Sequence, residues 1–194
     1  MIRSLFGYAL MAIVLLITSL PLSAAEKLTL DGQHTYVLWH INHLGFSVQA
    51  GKWYANGFLL LDKDHPQNSK LDATIDVAHF ITGIPELDEH LKGELFFDVK
   101  KFPTATFVSD KVDVTGKTTA NVHGILTVHG IAKALTLKVK LNKAGKNPIN
   151  DNMTFGFSAT TMIKRSDFGI KTLLPELGDD VTLEINAEAY QPNK

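Results

Sequence analysis

Residues 70–77 read KLDATIDV, and this stretch shows most directly how the chain folds. Its apolar and polar residues alternate one by one, with Leu71, Ala73, Ile75 and Val77 set against Lys70, Asp72, Thr74 and Asp76. Successive side chains of a β-strand point to opposite faces of the sheet. The pattern therefore predicts a strand with one dry face and one face in water.

The same alternation recurs at intervals along the chain, at residues 135–142, 153–163 and 181–189. Further strands are expected at 35–48, 52–62, 105–114 and 119–128, with turns at 50–51, 115–117 and 143–148. About eight one-sided strands favour an up-and-down antiparallel barrel, because closure removes exposed sheet edges. A two-sheet sandwich gives much the same alternation, so periodicity alone leaves both architectures open.

Two of the expected strands are apolar on both faces, around Trp39 and at residues 58–61. A cover for the outer surface is expected there, and the long connection at residues 78–103 is the candidate. This connection includes a short amphipathic helix, with Pro85 at its start, Leu87 and Leu91 on one side and Gly93 at its stop.

Composition limits the classes of function. The 194 residues include 19 basic and 20 acidic side chains, a formal net charge of −1, which gives nucleic acid little electrostatic attraction. The absence of cysteine excludes disulfides, thiolate metal sites and a cysteine nucleophile. A single domain that lacks disulfides can still be stable, because a chain of this length buries a sufficient core.

The first residues resemble a bacterial export signal. A cationic start at Arg3, an apolar run over residues 5–20 and the small residues Ser23 and Ala25 predict cleavage after Ala25. Residues 1–25 are then the signal peptide and residues 26–194 a single mature domain in the periplasm. An uncleaved membrane anchor is the alternative, at the lower length limit for crossing a bilayer.

Candidate catalytic and metal-binding residues are few. His34, His40 and His43 are close in sequence, but His43 faces away from the other two in an extended strand, so no metal site is expected. Asp88 and His90 could form an acid/base pair, although solvated or capping roles are commoner for such loop residues. No Gly-x-Ser-x-Gly elbow and no phosphate-binding glycine loop is present, so no enzyme and no required cofactor are expected.

Aromatic and apolar residues are the stronger signal, since they are spread along the strands and the two longer connections. They are equally consistent with a filled core and with a hollow barrel whose connections form a portal. The cluster Lys164-Arg165-Ser166-Asp167 could receive an anionic head group. Alternatively, Asp167 pairs with Arg165 and fixes a turn.

The chain resembles the YceI-like family of exported, polyisoprenoid-binding bacterial proteins across essentially all of the expected mature chain. The resemblance rests on short motifs in a fixed order: DGQH at 31–34, INHLG at 41–45, TG at 82–83, DEHLK at 88–92, FFDV at 96–99, FPTATF at 102–107, GILTVHG at 124–130 and RSDFGI at 165–170. Thr35 and Phe102 depart mildly from the serine and tyrosine usual in the family.

The resemblance implies an eight-stranded antiparallel lipocalin-like β-barrel with a short helix and a hydrophobic pore. The implied function is a periplasmic carrier for a polyisoprenoid, such as a quinone or prenyl phosphate, or another long-chain lipid. Transient contact with a membrane surface is expected for loading, and a homodimer is left open. The alternatives are an enzyme that acts on such a lipid, with His43, His90 or Asp88 as acid/base, and a structural protein with a solid barrel.

The expected ligand contacts fall into two groups. Those in the pore and portal are Trp39, Ile41, Phe46, Phe58, Leu60, Phe80, Leu91, Phe96, Phe97, Phe107, Phe155, Phe157 and Phe168. Those for the head group are His43, His90, Lys164 and Arg165. Asp88, Asp98 and Arg165 are expected to lock the connections onto the barrel rather than to contact the ligand.

Overall fold

The computed structural model describes residues 25–192, which fold into nine strands and one α-helix. The elements in chain order are β1 (Glu26–Leu30), β2 (Tyr36–His43), β3 (Ser47–Leu61), β4 (Lys70–Asp76), α1 (Pro85–Lys92), β5 (Thr104–Val114), β6 (Thr119–Val128), β7 (Ile131–Lys146), β8 (Met153–Lys164) and β9 (Leu177–Tyr190). The expected all-β fold with one short helix is confirmed. The predicted signal peptide lies outside the described residues, apart from Ala25.

The strands form one antiparallel sheet that closes on itself. From β2 to β9 each strand pairs with the next one along the chain, and β9 pairs back with β2. The barrel is therefore confirmed and the sandwich alternative is wrong. The barrel is eight strands around, although the chain forms nine. The short strands β1 and β2 follow one another in the same place between β3 and β9.

The length of β3 makes this sharing possible. Its first half, to Tyr54, pairs with β2, and its second half, from Phe58, pairs with β1. Gly57 lies between the halves with φ of 138°, and a Cβ there would come within 2.1 Å of the Asp72 carbonyl oxygen. Glycine is needed because the β4 backbone approaches too closely for any side chain.

Two expected turns are displaced. The chain does not turn at residues 50–51, where β3 is continuous, but at Leu44 and Gly45, which have φ of 55° and 76°. The Asn42 side chain accepts a hydrogen bond from the Gly45 N–H at 2.9 Å and closes this turn. The turn expected at 143–148 starts later, because β7 continues to Lys146.

Helix α1 is confirmed with its expected ends, since it begins at Pro85 and is followed by Gly93. The expectation that its connection covers the outer face of the barrel is wrong. Leu91 and Phe96 pack with the inward-facing Trp39 and Ile41, so residues 78–103 lie across one end of the barrel. Nothing in the alternation pattern could distinguish an end from an outer face, since both need an apolar partner.

The opposite end of the barrel is filled by a cluster of apolar side chains, which we call the floor cluster. Its buried members are Leu28, Leu30, Ala73, Phe155 and Ala189, with Leu59, Leu61, Leu71, Leu141, Met153 and Phe157 packed against them. Leu28 and Ala189 have no solvent exposure at all. Among the described residues no helix is long and apolar enough to cross a membrane.

Candidate functional site

A cavity of about 560 Å³ occupies the barrel between the floor cluster and the α1 connection. Its wall is built from the inward-facing residues of the strands, such as Val181, Leu183 and Ile185 on β9. These are the apolar residues of the alternating pattern, so the pattern that forms the strands also makes the wall apolar. The barrel is hollow, which does not fit the solid-barrel alternative.

Three segments surround the open end of the cavity, which we call the mouth. They are the β2–β3 turn with Leu44, the α1 connection with Ile84 and Leu87, and the segment between β8 and β9 with Leu173. Leu44, Ile84 and Leu173 line the cavity and are also 43%, 47% and 58% exposed. The cavity therefore opens to the outside through an apolar rim.

An aromatic group joins the α1 connection to the barrel wall. The rings of Trp39 and Trp53 lie 5.8 Å apart, and Phe97 meets Trp53 edge-on at 5.4 Å. Trp39 is opposite Gly51 on β3, and a Cβ at Gly51 would lie 2.3 Å from the indole ring. The missing side chain at Gly51 gives Trp39 the space it occupies against the sheet.

Polar side chains reach the cavity at only a few points. Near the mouth these are His43, Gln49 and His90, and Thr35 lies deeper. The His90 ring packs against Phe96, with 5.1 Å between ring centroids. Asp88 and His90 do not form the acid/base pair that the sequence allowed. The Asp88 carboxylate accepts the Thr82 N–H at 2.8 Å and also the Thr82 hydroxyl, and no hydrogen bond joins it to His90 among the described residues.

Arg165 borders the cavity, and backbone carbonyls surround its guanidinium group. It donates to the carbonyl oxygens of Ile170 (3.2 Å), Thr172 (2.7 Å), Leu177 (2.9 Å) and Gly178 (2.7 Å). Four of its five N–H donors are thus used, two on the segment between β8 and β9 and two on the start of β9, so that Arg165 ties the segment to the strand. Burial lowers the pKa of Arg165 from its usual value, and the nearby Asp179 carboxylate opposes this shift.

Two acidic residues of the α1 connection, Asp88 and Asp98, have partners within the connection. Asp88 holds the segment before the helix through Thr82. Asp98 is buried, has φ of 42°, and pairs with Lys101 at 2.8 Å. The hydrogen bond and the charge of Asp98 raise the pKa of the Lys101 ammonium group above its usual value. Both contacts lie within residues 78–103 and fix the local conformation of the connection.

The structure brings ten of the residues expected at the site together around the cavity. They are Trp39, Ile41, His43, His90, Leu91, Phe96, Phe97, Phe107, Arg165 and Phe168. Their contact with a ligand stays a prediction. The other seven lie elsewhere: Phe46, Phe58, Leu60, Phe80, Phe155, Phe157 and Lys164 do not line the cavity.

Four of these seven residues lie on the outer surface or behind the cavity wall. Phe58 and Leu60 share the outer face of β3, where the Lys27 ammonium group lies 4.5 Å from the Phe58 ring. Phe46 is 90% exposed beside the β2–β3 turn. Phe80 is buried behind Trp53, with 6.5 Å between ring centroids.

The remaining three side chains make contacts outside the cavity. Phe155 and Phe157 belong to the floor cluster. Lys164 is bound to Asp180 at 2.8 Å, and this hydrogen bond raises the pKa of the lysine.

Sequence reasoning concentrated on aromatic residues and missed most of the aliphatic wall. Val37, Leu137 and Ile185 line the cavity and were not among the expected contacts, and neither was the aromatic Trp53. The signal was available in the alternation, because every residue that shares a face with Val181 or Leu71 also faces inward. Gln49 was hidden by the displaced turn, which left it outside the expected strands.

The three nearby histidines do not meet. His34 bonds to Asp31 at 2.8 Å, His40 lies 3.7 Å from Glu184, and His43 reaches the mouth after a bulge in the pairing of β2 with β9. A different group, Asp31, His34 and Glu188, places three possible ligand atoms within 4.8 Å of one another, although His34 is largely exposed. This group lies outside the cavity lining.

A closed antiparallel barrel with a filled floor, a connection across its other end and an apolar cavity between them defines the class of β-barrels whose interior can hold one small ligand. The family model for the YceI-like domain matches residues 28–189. The chain belongs to the YceI-like family.

Relatives and solved structures agree with this assignment. A UPF0312 protein of Pseudomonas putida (strain GB-1) is 37% identical over 172 residues, covering 88% of this chain and 89% of the relative. The crystal structure of BcnA from Burkholderia cenocepacia matches with a TM-score of 0.72 and 26% identity, covering 82% of this chain and 98% of BcnA. A polyisoprenoid binding domain from Saccharophagus degradans has the same fold, with a TM-score of 0.64, 13% identity, and coverage of 85% and 98%.

Proposed function

We propose that this protein binds and carries a polyisoprenoid or a similar long-chain amphiphile inside its barrel. The observation that carries the proposal is the cavity of about 560 Å³, whose wall is almost entirely apolar and which has one open end. Such a space suits a single apolar tail with a polar head group left at the mouth. Export by the predicted signal peptide would bring the protein to the periplasm, beside the membranes that contain such lipids.

The energetics favour reversible exchange with a membrane. Each methylene group removed from water contributes about 0.8 kcal/mol, so a long tail is almost never free in solution. Moving the tail from a bilayer into an apolar cavity has little net hydrophobic driving force. Packing in the cavity and contacts to the head group therefore decide the direction of transfer, as a carrier requires.

Loading is expected to take place at a membrane surface. The apolar residues around the mouth support this, since Leu44, Phe46 and Leu173 are exposed next to the cavity opening. An exposed apolar patch of this kind is typical of a contact with a membrane or another protein.

The comparison with Saccharophagus degradans supports the choice of ligand class. That domain is described as polyisoprenoid binding, and it shares the barrel fold with this chain at low sequence identity. A quinone or a prenyl phosphate would place its head group near His43 and His90, which are the two imidazoles at the mouth. No cofactor is required for this role.

Native mass spectrometry of the purified mature protein, followed by lipid extraction, tests the proposal. We expect a one-to-one mass increment that resolves into a prenyl compound or another long-chain amphiphile. Leu183→Asn, which places an amide in the cavity wall, should reduce loading at least tenfold. Thr182→Asn makes the same addition on the outer face and is the matched control. A protein that stays unloaded after incubation with membrane lipid would contradict the proposal.

The enzyme alternative rests on His43 and His90, because both line the cavity. His43→Asn and His90→Asn separate it from the carrier. In an enzyme these substitutions abolish conversion of the loaded lipid, while binding persists. In a carrier the extracted lipid is chemically unchanged in every variant, and the rates of loading and release change by only a few fold.

A further inference from the structure

We propose that the protein docks on lipid bilayers through the tip of the β2–β3 hairpin, residues 42–48, and that it binds uncharged bilayer surfaces better than anionic ones. This inference rests on the proposed function, because a barrel that exchanges lipid with a membrane has to bring its mouth to the bilayer. The hairpin tip supplies the contact, and the charge around the mouth selects the kind of surface.

The hairpin tip is apolar, exposed and free of charged side chains. Residues 41–51 read INHLGFSVQAG and include no Asp, Glu, Lys or Arg. Phe46 is 90% exposed and Val48 64%, although both side chains are apolar. Exposed strands of soluble proteins usually carry charges, lysine above all, that prevent unwanted contacts. An uncharged tip with a bare phenylalanine is therefore expected to be buried against a partner when the protein acts.

Apolar residues from two other segments extend this surface around the mouth. Ile84 of the α1 connection is 47% exposed, and Leu173 of the segment between β8 and β9 is 58% exposed. Together with Leu44 of the hairpin they line the opening of the cavity. A protein partner that added a strand to the hairpin would need only its edge and gives no reason for the exposure of Ile84 and Leu173. A bilayer covers all three segments at once, so the arrangement favours a membrane over a protein.

The free edge of β3 limits how deeply the hairpin enters the bilayer. The backbone N–H and C=O of Lys52 bond to Ile81 at 2.9 and 3.0 Å. Backbone groups of alternate residues in a strand point to the same edge, so those of Val48 and Ala50 point the same way. In the described part of the chain β4 pairs with a later part of β3, and no strand covers this edge at residues 47–51. Unpaired backbone groups are not tolerated in hydrocarbon but bond readily to water and head groups. The hairpin therefore lies at the level of the head groups, with its apolar side chains at the acyl boundary.

The charge around the mouth favours an uncharged surface. Residues 84–95 of the α1 connection include four acidic side chains and one basic side chain, a net charge of −3. Residues 165–176 are balanced, with two acidic and two basic side chains. Docking is thus driven by apolar side chains. Anionic lipids give a bilayer a negative surface potential, which repels the mouth within a Debye length of about 10 Å at 0.1 M salt.

Flotation with phosphatidylcholine vesicles measures the role of the hairpin tip. Phe46→Asp places a charge at the most exposed apolar position of the tip and should lower the partition coefficient at least tenfold. Ile149→Asp is the matched control, because Ile149 is 92% exposed in the loop between β7 and β8, which leads to Met153 of the floor cluster at the far end of the barrel. This variant should bind like the wild type. Equal losses in the two variants, or a wild-type protein that does not float with the vesicles, would overturn docking through the hairpin.

Lipid composition tests the preference for an uncharged surface. Replacing about a third of the phosphatidylcholine by phosphatidylglycerol should weaken wild-type binding at least threefold at about 20 mM salt, and the difference should shrink at about 0.5 M salt. Equal or stronger binding to the anionic vesicles at low salt would overturn the preference.

A comparison with detergent separates docking from the carrier function. In Phe46→Asp, transfer of a prenyl alcohol from phosphatidylcholine vesicles should slow at least fivefold relative to its loading from detergent, with both followed by native mass spectrometry. An unchanged ratio of the two rates would overturn docking through the hairpin and leave the carrier function intact. A wild-type protein that loads from neither source would overturn the carrier function itself.

Discussion

Arg165 is a charged residue at the edge of an apolar cavity, and its contacts explain why this is tolerated. The guanidinium group has four backbone carbonyls as partners, which replace the water it loses on burial. The same four bonds give the segment between β8 and β9 its shape. Only one N–H remains for a ligand, so Arg165 is mainly a structural residue.

Replacing Arg165 by methionine tests this interpretation. Arg165→Met keeps much of the side-chain length but leaves several carbonyls without donors, each at a cost of about 1–3 kcal/mol. We expect the free energy of unfolding to fall by about 3 kcal/mol in urea denaturation. Lys164→Met removes a neighbouring exposed charge that pairs with Asp180, and should leave the free energy of unfolding nearly unchanged. Equal effects of the two substitutions would contradict the structural role.

Gly51 is the second residue whose identity is fixed by its surroundings. In Gly51→Ala the new methyl group would have to push the Trp39 indole ring, 2.3 Å from the Cβ position, into the cavity. We expect a loss of about 1–3 kcal/mol of stability, typical of overpacking, together with weaker binding of an apolar fluorescent probe. Gly156→Ala is the control, because the nearest atom to its Cβ is 4.0 Å away. Equally strong probe binding in both variants would show that the Trp39 ring does not enter the cavity.

Among the elements, the α1 connection shows that the ends of a helix can be predicted from nearby residues, whereas its place in the fold cannot. Pro85 and Gly93 mark the ends of the helix in the sequence, since proline suits a helix start and glycine a stop. The part of the barrel against which it packs depends on contacts with residues distant in the chain, such as that of Phe97 with Trp53 on β3. The helix was therefore predictable, and its place across the mouth was not.

Asp88 gives a prediction at this scale. Asp88→Ala removes the acceptor for the Thr82 N–H and hydroxyl, which hold the segment before α1. We expect amide hydrogen exchange in residues 82–97 to become about five- to thirtyfold faster, because one or two hydrogen bonds of about 1 kcal/mol are lost. Exchange in β8 and β9 should be unaffected.

Glu89→Ala is the control for this change. Its side chain is 75% exposed and pairs only with Lys92, so exchange in residues 82–97 should remain close to that of the wild type. If Asp88→Ala behaved like Glu89→Ala, the connection would be held by its apolar contacts alone.

The strands also show which features local sequence can predict and which depend on tertiary contacts. Alternation at residues 70–77 and 181–189 predicted which side chains face inward, because this depends only on neighbours along the strand. It could not predict that β1 and β2 share one position, which depends on how the two halves of the long β3 pair with different strands. It also could not separate Phe107, at the cavity, from Phe155, in the floor cluster, since both face inward on their strands.

For the whole molecule, the charged groups determine how stability depends on pH. Hydrogen bonds lower the pKa of Asp62 and Asp113 below the usual 3.8, chiefly from the His65 N–H and from the Lys111 ammonium group respectively. Burial raises the pKa of Asp179, but bonds from the Ser166 N–H and hydroxyl outweigh it, so the net shift is also downward. Each carboxylate stabilises the fold above pH 3.8, and this contribution is lost as the pH falls through its lower folded value.

The contribution of His34 to stability has the opposite dependence on pH. Its hydrogen bond to Asp31 raises the pKa of the imidazole above 6.5. Its contribution is complete below pH 6.5 and is lost as the pH rises through the higher folded value. The Asp31 pKa is lowered, since the bond to His34 and the Gln33 N–H outweigh burial, so the pair stabilises most strongly between these limits.

The melting temperature should therefore be highest between about pH 4 and pH 6.5, fall steeply at lower pH and decline slightly at higher pH. In the triple variant Asp62→Asn, Asp113→Asn and Asp179→Asn we expect a lower maximum and a flatter acid limb, because fewer groups must take up protons on unfolding. Asp64→Asn is the control, as only the backbone N–H of this exposed residue bonds to Asp62. His34→Asn should remove the decline above pH 6.5 alone, since neutral asparagine has no charge to lose. Calorimetric scans from pH 2.5 to 8.5 measure both limbs, and an acid limb equally steep in the triple variant would show that other carboxylates determine it.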